Sequence, residues 1–458
     1  MTAADVAAFT GGRVIRGEVG SAIGRVVIDS RTLEPGDCFF AVRGERFDGH
    51  DFVVDAVARG AGAVVVAREV QASPAVVIRV AETTQALQDV AREVRRRSGA
   101  TVIAITGSTG KTTTKEVAAE LLSTRHRVFR NKGNFNNHIG LPLSLIELRA
   151  RPEIAVVELG MNHPGEIRTL VGIAEPDVRV WTNVGDAHLG FFASADAIAD
   201  AKAEILEGAD EDDVLIANAN DARVMSRAEW FVGRVVTFGI DVDADVRATR
   251  VEHRGLDGTS AELHTAAGSA TLTTPLLGLG NLSNVLAAAA VAIQFDIPVS
   301  QIVETASRLQ PATHRGELLR LPGGITLIDD SYNSSPAALG QALETMAAAT
   351  GCARKVAVLG EMLELGEHAD ALHREAGKRA AAAGLALLIT VGGSPAGALA
   401  DAAIAAGLPA EAVVSVATRE QAADLALSRV RPGDLVLVKG SRGIGTDLVV
   451  SRLTAEFA

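Results

Sequence analysis

Cysteine and aromatic residues are scarce in this chain of 458 residues. Its two cysteines, Cys38 and Cys352, lie far apart, so neither a disulfide framework nor a cysteine metal site is expected, and a reducing cytoplasm fits. Aromatic residues make up 3% of the chain and include a single tyrosine, Tyr332, which leaves few rings for stacking on single-stranded nucleic acid. These scarcities argue against a small disulfide-stapled fold and against a nucleic-acid-binding protein.

Long apolar runs and an excess of positive charge are also missing. No stretch reaches the ~18 apolar residues that cross a bilayer, and the first residues lack the basic and apolar regions of a secretion signal. Lys and Arg total 44 against 56 Asp and Glu, a formal charge of −12, which argues against nonspecific binding to nucleic acid or anionic membranes. We therefore expect a cytoplasmic protein that is not inserted in a membrane. We also expect a monomer.

The length allows about three domains of ~150 residues each, and 48% apolar residues can fill that many cores. Residues 1–98 mix short apolar runs with a charged helix predicted over 85–97, which indicates a small α/β domain. In residues 99–313, apolar runs such as 154–158 and 214–218 alternate with helical stretches. Such alternation predicts a mostly parallel sheet that is covered on both faces.

A second βα series occupies residues 314–458. Its predicted strands are 325–330, 355–360, 387–391, 413–416 and 434–439. This order is Rossmann-like, but no G-x-G-x-x-G follows the first strand, so dinucleotide binding is not indicated. The sequence therefore predicts an α/β protein with three domains, over residues 1–98, 99–313 and 314–458.

A glycine-rich turn follows the apolar run 102–105 and reads Thr-Gly-Ser-Thr-Gly-Lys-Thr over 106–112. Glycines let backbone amides approach an anion, the lysine adds a point charge, and the last threonine offers a hydroxyl suited to Mg²⁺. The general P-loop pattern wants glycine at position 105, where this chain has Ile105, and a plain strand-to-helix turn is the alternative. We predict an ATP site built from Gly107, Ser108, Thr109, Gly110, Lys111, Thr112 and Thr113.

Polar residues end or follow other predicted strands, where α/β sheets place their ligands. Glu158 could bind Mg²⁺ directly, although a solvated strand end is nearly as common. His188 could supply a nitrogen ligand to a second ion, although a lone histidine is more often a loop or core residue. Lys202 lies in a predicted helix and, taken by itself, reads as a solvated side chain.

Taken together, several motifs resemble the ATP-dependent Mur ligases. Their order and spacing match over residues 106–112, 158–162, 183–188, 201–202 and 280–284. Three further segments look like the MurF branch of that family: 131–142, 329–336 and 359–366. That branch joins D-alanyl-D-alanine to a UDP-N-acetylmuramoyl tripeptide in peptidoglycan synthesis.

The resemblance implies three domains: an N-terminal one for the UDP sugar, a central ATPase and a C-terminal Rossmann-like domain. It also implies that Lys111 contacts the β and γ phosphates, and that Thr112 and Glu158 hold one Mg²⁺. A carbamylated Lys202 and His188 would organise a second Mg²⁺. The carbamate makes chemical sense, because an ammonium repels a cation whereas an amine that has captured CO₂ becomes an anionic oxygen ligand.

Three more matched residues concern the nucleotide. By resemblance, Asn281 faces adenine, Arg315 reaches the phosphate and Asp330 binds ribose. Arg315 could instead be a surface charge, and Asp330 could cap the following turn. Departures from the family pattern occur at Gly280, where the family often has histidine, and at 444–445, where Ile-Gly replaces a more usual Met-Arg.

The remaining matches concern the acceptor substrates. They are Ser30 and Arg31 near the UDP moiety, Asn134, Asn136 and Asn137 facing the muramoyl peptide, and Tyr332 and Asn333 near the dipeptide. Because asparagine-rich loops are also common turn formers, a structural role competes for at least one asparagine.

The expected reaction transfers the γ-phosphoryl of ATP to the terminal carboxylate of the tripeptide, and the amine of D-alanyl-D-alanine attacks the resulting acyl phosphate. The rival readings are a sister amide ligase, such as a Mur ligase that adds one amino acid or a folylpolyglutamate synthetase, and an ATP-driven switch that is not a ligase.

Overall fold

The computed structural model describes residues 1–70, 75–186 and 189–457, in which helices and strands alternate. The strands of the described residues are β1 Arg13–Arg16, β2 Val26–Val27, β3 Cys38–Phe40, β4 Ala63–Val66, β5 Val76–Arg79, β6 Thr101–Thr106, β7 Val128–Arg130, β8 Ile154–Glu158, β9 Val178–Trp181, β10 Val214–Asn218, β11 Arg234–Ile240, β12 Val246–His253, β13 Thr259–Thr265, β14 Gly268–Thr274, β15 Glu317–Leu321, β16 Ile325–Asp330, β17 Arg354–Gly360, β18 Leu387–Val391, β19 Val413–Val416 and β20 Asp434–Lys439.

The α-helices of the same residues are mostly of two to four turns. They are α1 Ala3–Thr10, α2 Val53–Ala58, α3 Thr83–Ser98, α4 Lys111–Leu122, α5 Gly140–Ile146, α6 Glu166–Ala174, α7 Ala195–Ala203, α8 Ala222–Ala228, α9 Gly278–Gln294, α10 Val299–Ala306, α11 Pro336–Ala348, α12 Ala369–Ala382, α13 Ser394–Ala405, α14 Arg419–Arg429 and α15 Asp447–Glu456. None of these helices combines the length and the hydropathy that a bilayer crossing requires.

Contacts divide the chain into two compact units. Unit 1 contains Met1–Ala104 and His126–Val178, and unit 2 contains Ile105–Arg125 and Arg179–Ala458. The predicted domain limits 1–98, 99–313 and 314–458 stay a prediction.

Unit 1 contains a five-stranded sheet in the order β1-β5-β4-β3-β2, which is parallel apart from β1. Phe39, Val64 and Val77 of three neighbouring strands share one core with Val53 of α2. The predicted charged helix over 85–97 is confirmed as α3. It begins two residues earlier because the Glu82 side chain accepts hydrogen bonds from the first free amides of the helix.

The first sheet of unit 2 combines parallel and antiparallel pairs. β10 and β11 pair in parallel across α8, as the predicted strand–helix alternation requires, and β11 also pairs in parallel with β12 without an intervening helix. Over residues 246–274 the alternation prediction is wrong, since β12, β13 and β14 form an antiparallel meander. Its strands have one buried and one more exposed face, and Gly255 and Gly268 adopt positive φ in the two connections, which suits tight turns.

The second sheet of unit 2 has the order β15-β16-β20-β17-β18-β19 and is parallel except for β15. Helices α11, α12 and α13 pack on one face, and α14 and α15 pack on the other. The predicted second βα series is confirmed, and only the edge strand β15 was not expected. The predicted α/β class is therefore confirmed, with mostly parallel sheets.

Candidate active site

The glycine-rich turn joins β6 to α4 and leaves no room for a side chain at its two glycines. Gly107 has φ +148° and Gly110 has φ +83°, both in the region that favours glycine. A Cβ on Gly107 would collide with Thr182 Oγ1, and one on Gly110 would collide with Asn284 Oδ1. No side chain caps the N-terminus of α4, so the amides of its first turn are directed at the turn, as in an anion-binding helix start.

Residues after β9 hold this turn in place. Asn183 accepts a hydrogen bond from the amide of Thr109 at 2.9 Å and donates to Thr109 Oγ1 at 3.0 Å. Thr182 Oγ1 donates to the carbonyl of Thr109 at 2.7 Å, and Ser108 Oγ accepts from the amide of Gly185 at 2.8 Å. Asn183 and Thr182 therefore fix the shape of the loop. This supporting role was not predicted from the sequence.

Lys111 lies at the start of α4 with its ammonium over the same turn. Its Nζ donates to the carbonyl of Gly107 at 2.8 Å and to that of Ser108 at 3.4 Å. Thr112 and Thr113 follow in the first helical turn and are half-buried. The seven predicted residues therefore form one turn and helix start that carries a positive charge, and the alternative of a plain turn with a chance lysine explains neither the two close-packed glycines at positive φ nor this placement.

Lys202, near the end of α7, is 1% exposed. The interpretation of Lys202 as a solvated side chain is therefore wrong. Burial, and then the nearby charge of Lys111, lower the pKa of the Lys202 amine well below its usual range. Among the described residues no carboxylate pairs with the Lys202 amine to offset its burial.

Two asparagines on α9 connect that helix to α4. Asn281 Nδ2 donates to the carbonyl of Leu277 at 2.9 Å, and Asn284 Nδ2 donates to Asn281 Oδ1 at 3.3 Å. Asn284 Oδ1 in turn accepts from Thr114 Oγ1 at 3.3 Å. Asn281, which was predicted to face adenine, is thus linked to α4 through Asn284. Asn284 belongs to the matched motif 280–284, but this bridging role was not predicted.

Asp330 lies at the end of β16 and forms an ion pair instead of capping a turn. Its Oδ2 accepts from Lys439 Nζ at 2.6 Å, and Lys439 also donates to the carbonyl of Asn333 at 3.0 Å. The turn is instead capped by Asp329, which accepts from the amide and the hydroxyl of Ser331. The capping alternative for Asp330 is wrong, and its neighbour has that role.

Arg315 and Tyr332 are in contact. The Arg315 guanidinium carbon lies 4.2 Å from the centre of the Tyr332 ring, and that of Arg442 lies 5.6 Å from it. Arg315 is half-buried, so it is more than a freely solvated surface charge. Arg442 was not among the predicted site residues.

Glu158 is 3% exposed, at the end of β8 in unit 1. Its carboxylate accepts from Asn136 Nδ2 at 2.7 Å, and its amide donates to Asn131 Oδ1 at 3.2 Å. The reading of Glu158 as a solvated strand end is wrong. A carboxylate that is held by an asparagine and shielded from water is better suited to a defined ligand role than a mobile surface group.

The other predicted site residues of unit 1 differ in their exposure and in the hydrogen bonds that their side chains already form. Asn134 is exposed, whereas Asn137 Oδ1 accepts from the amides of Ile139 and Gly140 and so has the structural role considered above. Ser30 is buried. Arg31 is bound to Asp29, and this pairing lowers the pKa of the Asp29 carboxyl.

His188 lies outside the described residues, so its predicted role as a metal ligand stays a prediction. Within residues 1–70, 75–186 and 189–457, no group of three or more His, Cys, Asp or Glu side chains is arranged to hold a metal ion. The predicted ligands Thr112 and Lys202 belong to other residue types, so this observation does not bear on them.

Comparison with known proteins gives three consecutive family matches. Residues 22–103 match "Mur ligase family, catalytic domain", residues 105–292 match "Mur ligase middle domain", and residues 314–442 match "Mur ligase, glutamate ligase domain".

Among characterised relatives, the chain is 38% identical to the UDP-N-acetylmuramoyl-tripeptide–D-alanyl-D-alanine ligase of Bacillus subtilis over 77% of this chain and 76% of that protein. Among solved structures, it superposes on MurF from Acinetobacter baumannii with a TM-score of 0.89 at 32% identity, over 99% and 98% of the two chains. It also superposes on MurF ligase from Thermotoga maritima in complex with ADP, with a TM-score of 0.83 at 30% identity, over 94% and 97% of the chains.

Proposed function

Because the chain belongs to the Mur ligase family, we propose that it is an ATP-dependent ligase that joins D-alanyl-D-alanine to a UDP-N-acetylmuramoyl tripeptide in peptidoglycan synthesis. The observation that carries the proposal is the phosphate loop, where two glycines with positive φ, an uncapped helix start and Lys111 converge. A cytoplasmic location and a monomeric state stay predictions.

Nucleotide binding is assigned to four side chains of unit 2 beyond the loop amides. Lys111 is proposed to contact the β and γ phosphates, and Arg315 the transferred phosphoryl group. Asn281 is proposed to face adenine and Asp330 to bind ribose. The bond network from Asn281 through Asn284 to α4 supports this set, because it fixes the distance between the adenine and phosphate regions.

Thr112 and Glu158 are proposed to hold one Mg²⁺, and a carbamylated Lys202 together with His188 is proposed to hold the second. The chemistry of Lys202 fits, since a buried neutral amine can attack CO₂, forming an N–C bond and releasing one proton to leave an anionic carbamate. When bound, the ions supply positive charge to the phosphate oxygens of ATP.

The reaction proceeds through an activated carboxylate. A tripeptide carboxylate oxygen attacks the γ-phosphorus and ADP leaves, so an acyl phosphate forms. The neutral amine of D-alanyl-D-alanine attacks its carbonyl, and collapse of the tetrahedral intermediate forms the amide bond and expels phosphate. Lys111 and Arg315 stabilise the charge that develops on the phosphoryl group, and the rigid loop positions it.

Substrate contacts are proposed for three groups of residues. They are Ser30 and Arg31 for the UDP moiety, Asn134 and Asn136 for the muramoyl peptide, and Tyr332 and Asn333 for the incoming dipeptide. Asn137 is the weakest member of the predicted set, because its side chain is already engaged by backbone amides.

Phosphate release and product mass with different acceptors test the proposal. We expect ADP, phosphate and a coupled product with UDP-N-acetylmuramoyl tripeptide plus D-alanyl-D-alanine, with either diaminopimelate or lysine as the third residue. Lys111→Ala should abolish turnover, whereas Lys378→Ala, at an exposed lysine on α12, should not. Coupling of single amino acids alone would indicate a sister amide ligase, and ATP hydrolysis that ignores the acceptors would indicate a switch.

A further inference from the structure

The ends of two neighbouring strands in the second sheet of unit 2 bring Tyr332 and Arg442 together. Arg315, which precedes β15, joins them, and we call the two arginines around the Tyr332 ring the arginine cluster. β16 and β20 pair in parallel up to Asp330 and Lys439, so the segments that follow them leave the same edge of the sheet. Ser441 Oγ lies 3.5 Å from the carbonyl of Ser334, which keeps these two segments side by side. Such strand ends are where α/β sheets place their ligands.

Tyr332 is the centre of this cluster. Arg315 approaches its ring to 4.2 Å and Arg442 to 5.6 Å, and neither guanidinium forms an ion pair with a carboxylate among the described residues. A guanidinium that stacks on a ring keeps its N–H donors available at its edge. Two like charges near one ring repel each other, and an anion bound between them would remove that cost.

Two further observations concern the loops at this edge of the sheet. The hydroxyl of Ser334 is buried without a hydrogen-bond partner among the described residues, although buried hydroxyls are almost always paired. The amide of Gly190, in the loop after β9, donates to the carbonyl of Glu364, in the loop after β17, at 2.8 Å. The loops that follow β9 and β17 are therefore in contact with each other within unit 2.

We propose that Arg442 binds the unreactive carboxylate of the incoming dipeptide, with Tyr332 as its platform. This inference rests on the proposed function. The dipeptide must attack with a neutral amine, so its carboxylate is the one full charge that remains for recognition. Arg315 is assigned to the phosphoryl group, which leaves Arg442 as the cation for a bidentate pair with a carboxylate.

The test compares D-alanyl-D-alanine with D-alanyl-D-alaninamide, which lacks the carboxylate. In Arg442→Gln we expect the KM for the dipeptide to rise about tenfold or more, as the loss of a charge-assisted hydrogen bond predicts, with the KM for ATP unchanged. The wild type should prefer the dipeptide over the amide, and the variant should lose that preference. Arg442→Lys should recover part of it.

Arg431 offers a matched control, because it precedes β20 by three residues whereas Arg442 follows it by three, and both are exposed. Arg431→Gln should behave as the wild type. If Arg442→Gln and Arg431→Gln have the same KM for the dipeptide, the inference is overturned and the proposed function is not affected. A raised KM for ATP with an unchanged preference for the carboxylate would also overturn it, in favour of a phosphate contact. A wild type that couples no dipeptide would overturn the proposed function, and the inference with it.

Discussion

Replacing Gly110 by alanine should damage the phosphate loop through one identifiable contact. The new Cβ would approach Asn284 Oδ1 to well under 3.0 Å, a separation that real Cβ atoms essentially never show. Asn284 is 7% exposed and linked to Thr114 and Asn281, so it cannot turn away without breaking those bonds. Each buried group that loses its partner costs about 1–3 kcal/mol, and an alanine at positive φ costs about 1–2 kcal/mol in addition.

Gly165 is a close control for the backbone contribution. It precedes α6 with φ +86° and ψ −15°, almost the conformation of Gly110 before α4, which is φ +83° and ψ −11°. A Cβ at Gly165 would meet no atom within 4 Å. Gly165→Ala therefore carries the conformational cost alone, and the difference between the two variants isolates the collision with Asn284.

Calorimetric titration with ADP and Mg²⁺ measures the effect. We expect Gly110→Ala to weaken binding about tenfold or more, since a loss of ~1.4 kcal/mol is tenfold in affinity, while Gly165→Ala binds as the wild type. Adding Asn284→Ala to Gly110→Ala should recover part of the loss, because the obstructing side chain is gone. Equal ADP affinity in the two single variants would refute this reasoning.

Three further predictions concern buried groups. Lys202→Met should abolish ligation yet, in CO₂-depleted buffer near neutral pH, raise the melting temperature by about 1 °C per kcal/mol of relieved burial cost, because the entropy of unfolding scales with the 458 residues of the chain. The lowered pKa of Lys202 means that this advantage shrinks as pH rises toward the pKa of the unfolded chain, and a melting temperature below wild type at every pH would contradict it. In the native protein, Cys352 should react with a thiol reagent well before Cys38, because Cys38 is buried and its pKa is raised to about 12. Arg354→Met should lower the free energy of unfolding by about 3 kcal/mol or more, because it leaves the fully buried Asp434 carboxylate without its bidentate partner, and a urea titration that matches wild type would disprove this.

Features encoded in a short stretch of sequence were predicted correctly. The strand β6, the glycine turn and the start of α4 follow from an apolar run beside residues that need positive φ, and both signals are local. The parallel strands β16, β17, β18, β19 and β20 follow for the same reason, because strands buried on both faces read as continuous apolar runs. Local patterns therefore located the phosphate loop and the second sheet of unit 2.

Features that depend on distant residues were not predictable in this way. The burial of Lys202 depends on what packs around α7, and nothing in its own segment indicates it. The pairing of Asp330 with Lys439 joins residues 109 positions apart. The meander β12–β14 was missed because its half-exposed strands carry Thr, Arg and Glu in place of an apolar run, which weakens the strand pattern.

One of the two departures from the family pattern has a physical account in the structure. At Gly280, which precedes Asn281 on α9, a Cβ would meet only the end of the Gln341 side chain of α11, which is exposed and can turn away. Gly280 does not have positive φ either, so nothing in the structure explains the glycine there. At 444–445, Ile444 packs against the core of the second sheet and Gly445 adopts φ +73°, which makes this segment a packed turn. Because neither residue can supply a cation, a positive charge for an anion at this edge of the sheet has to come from residues outside the turn.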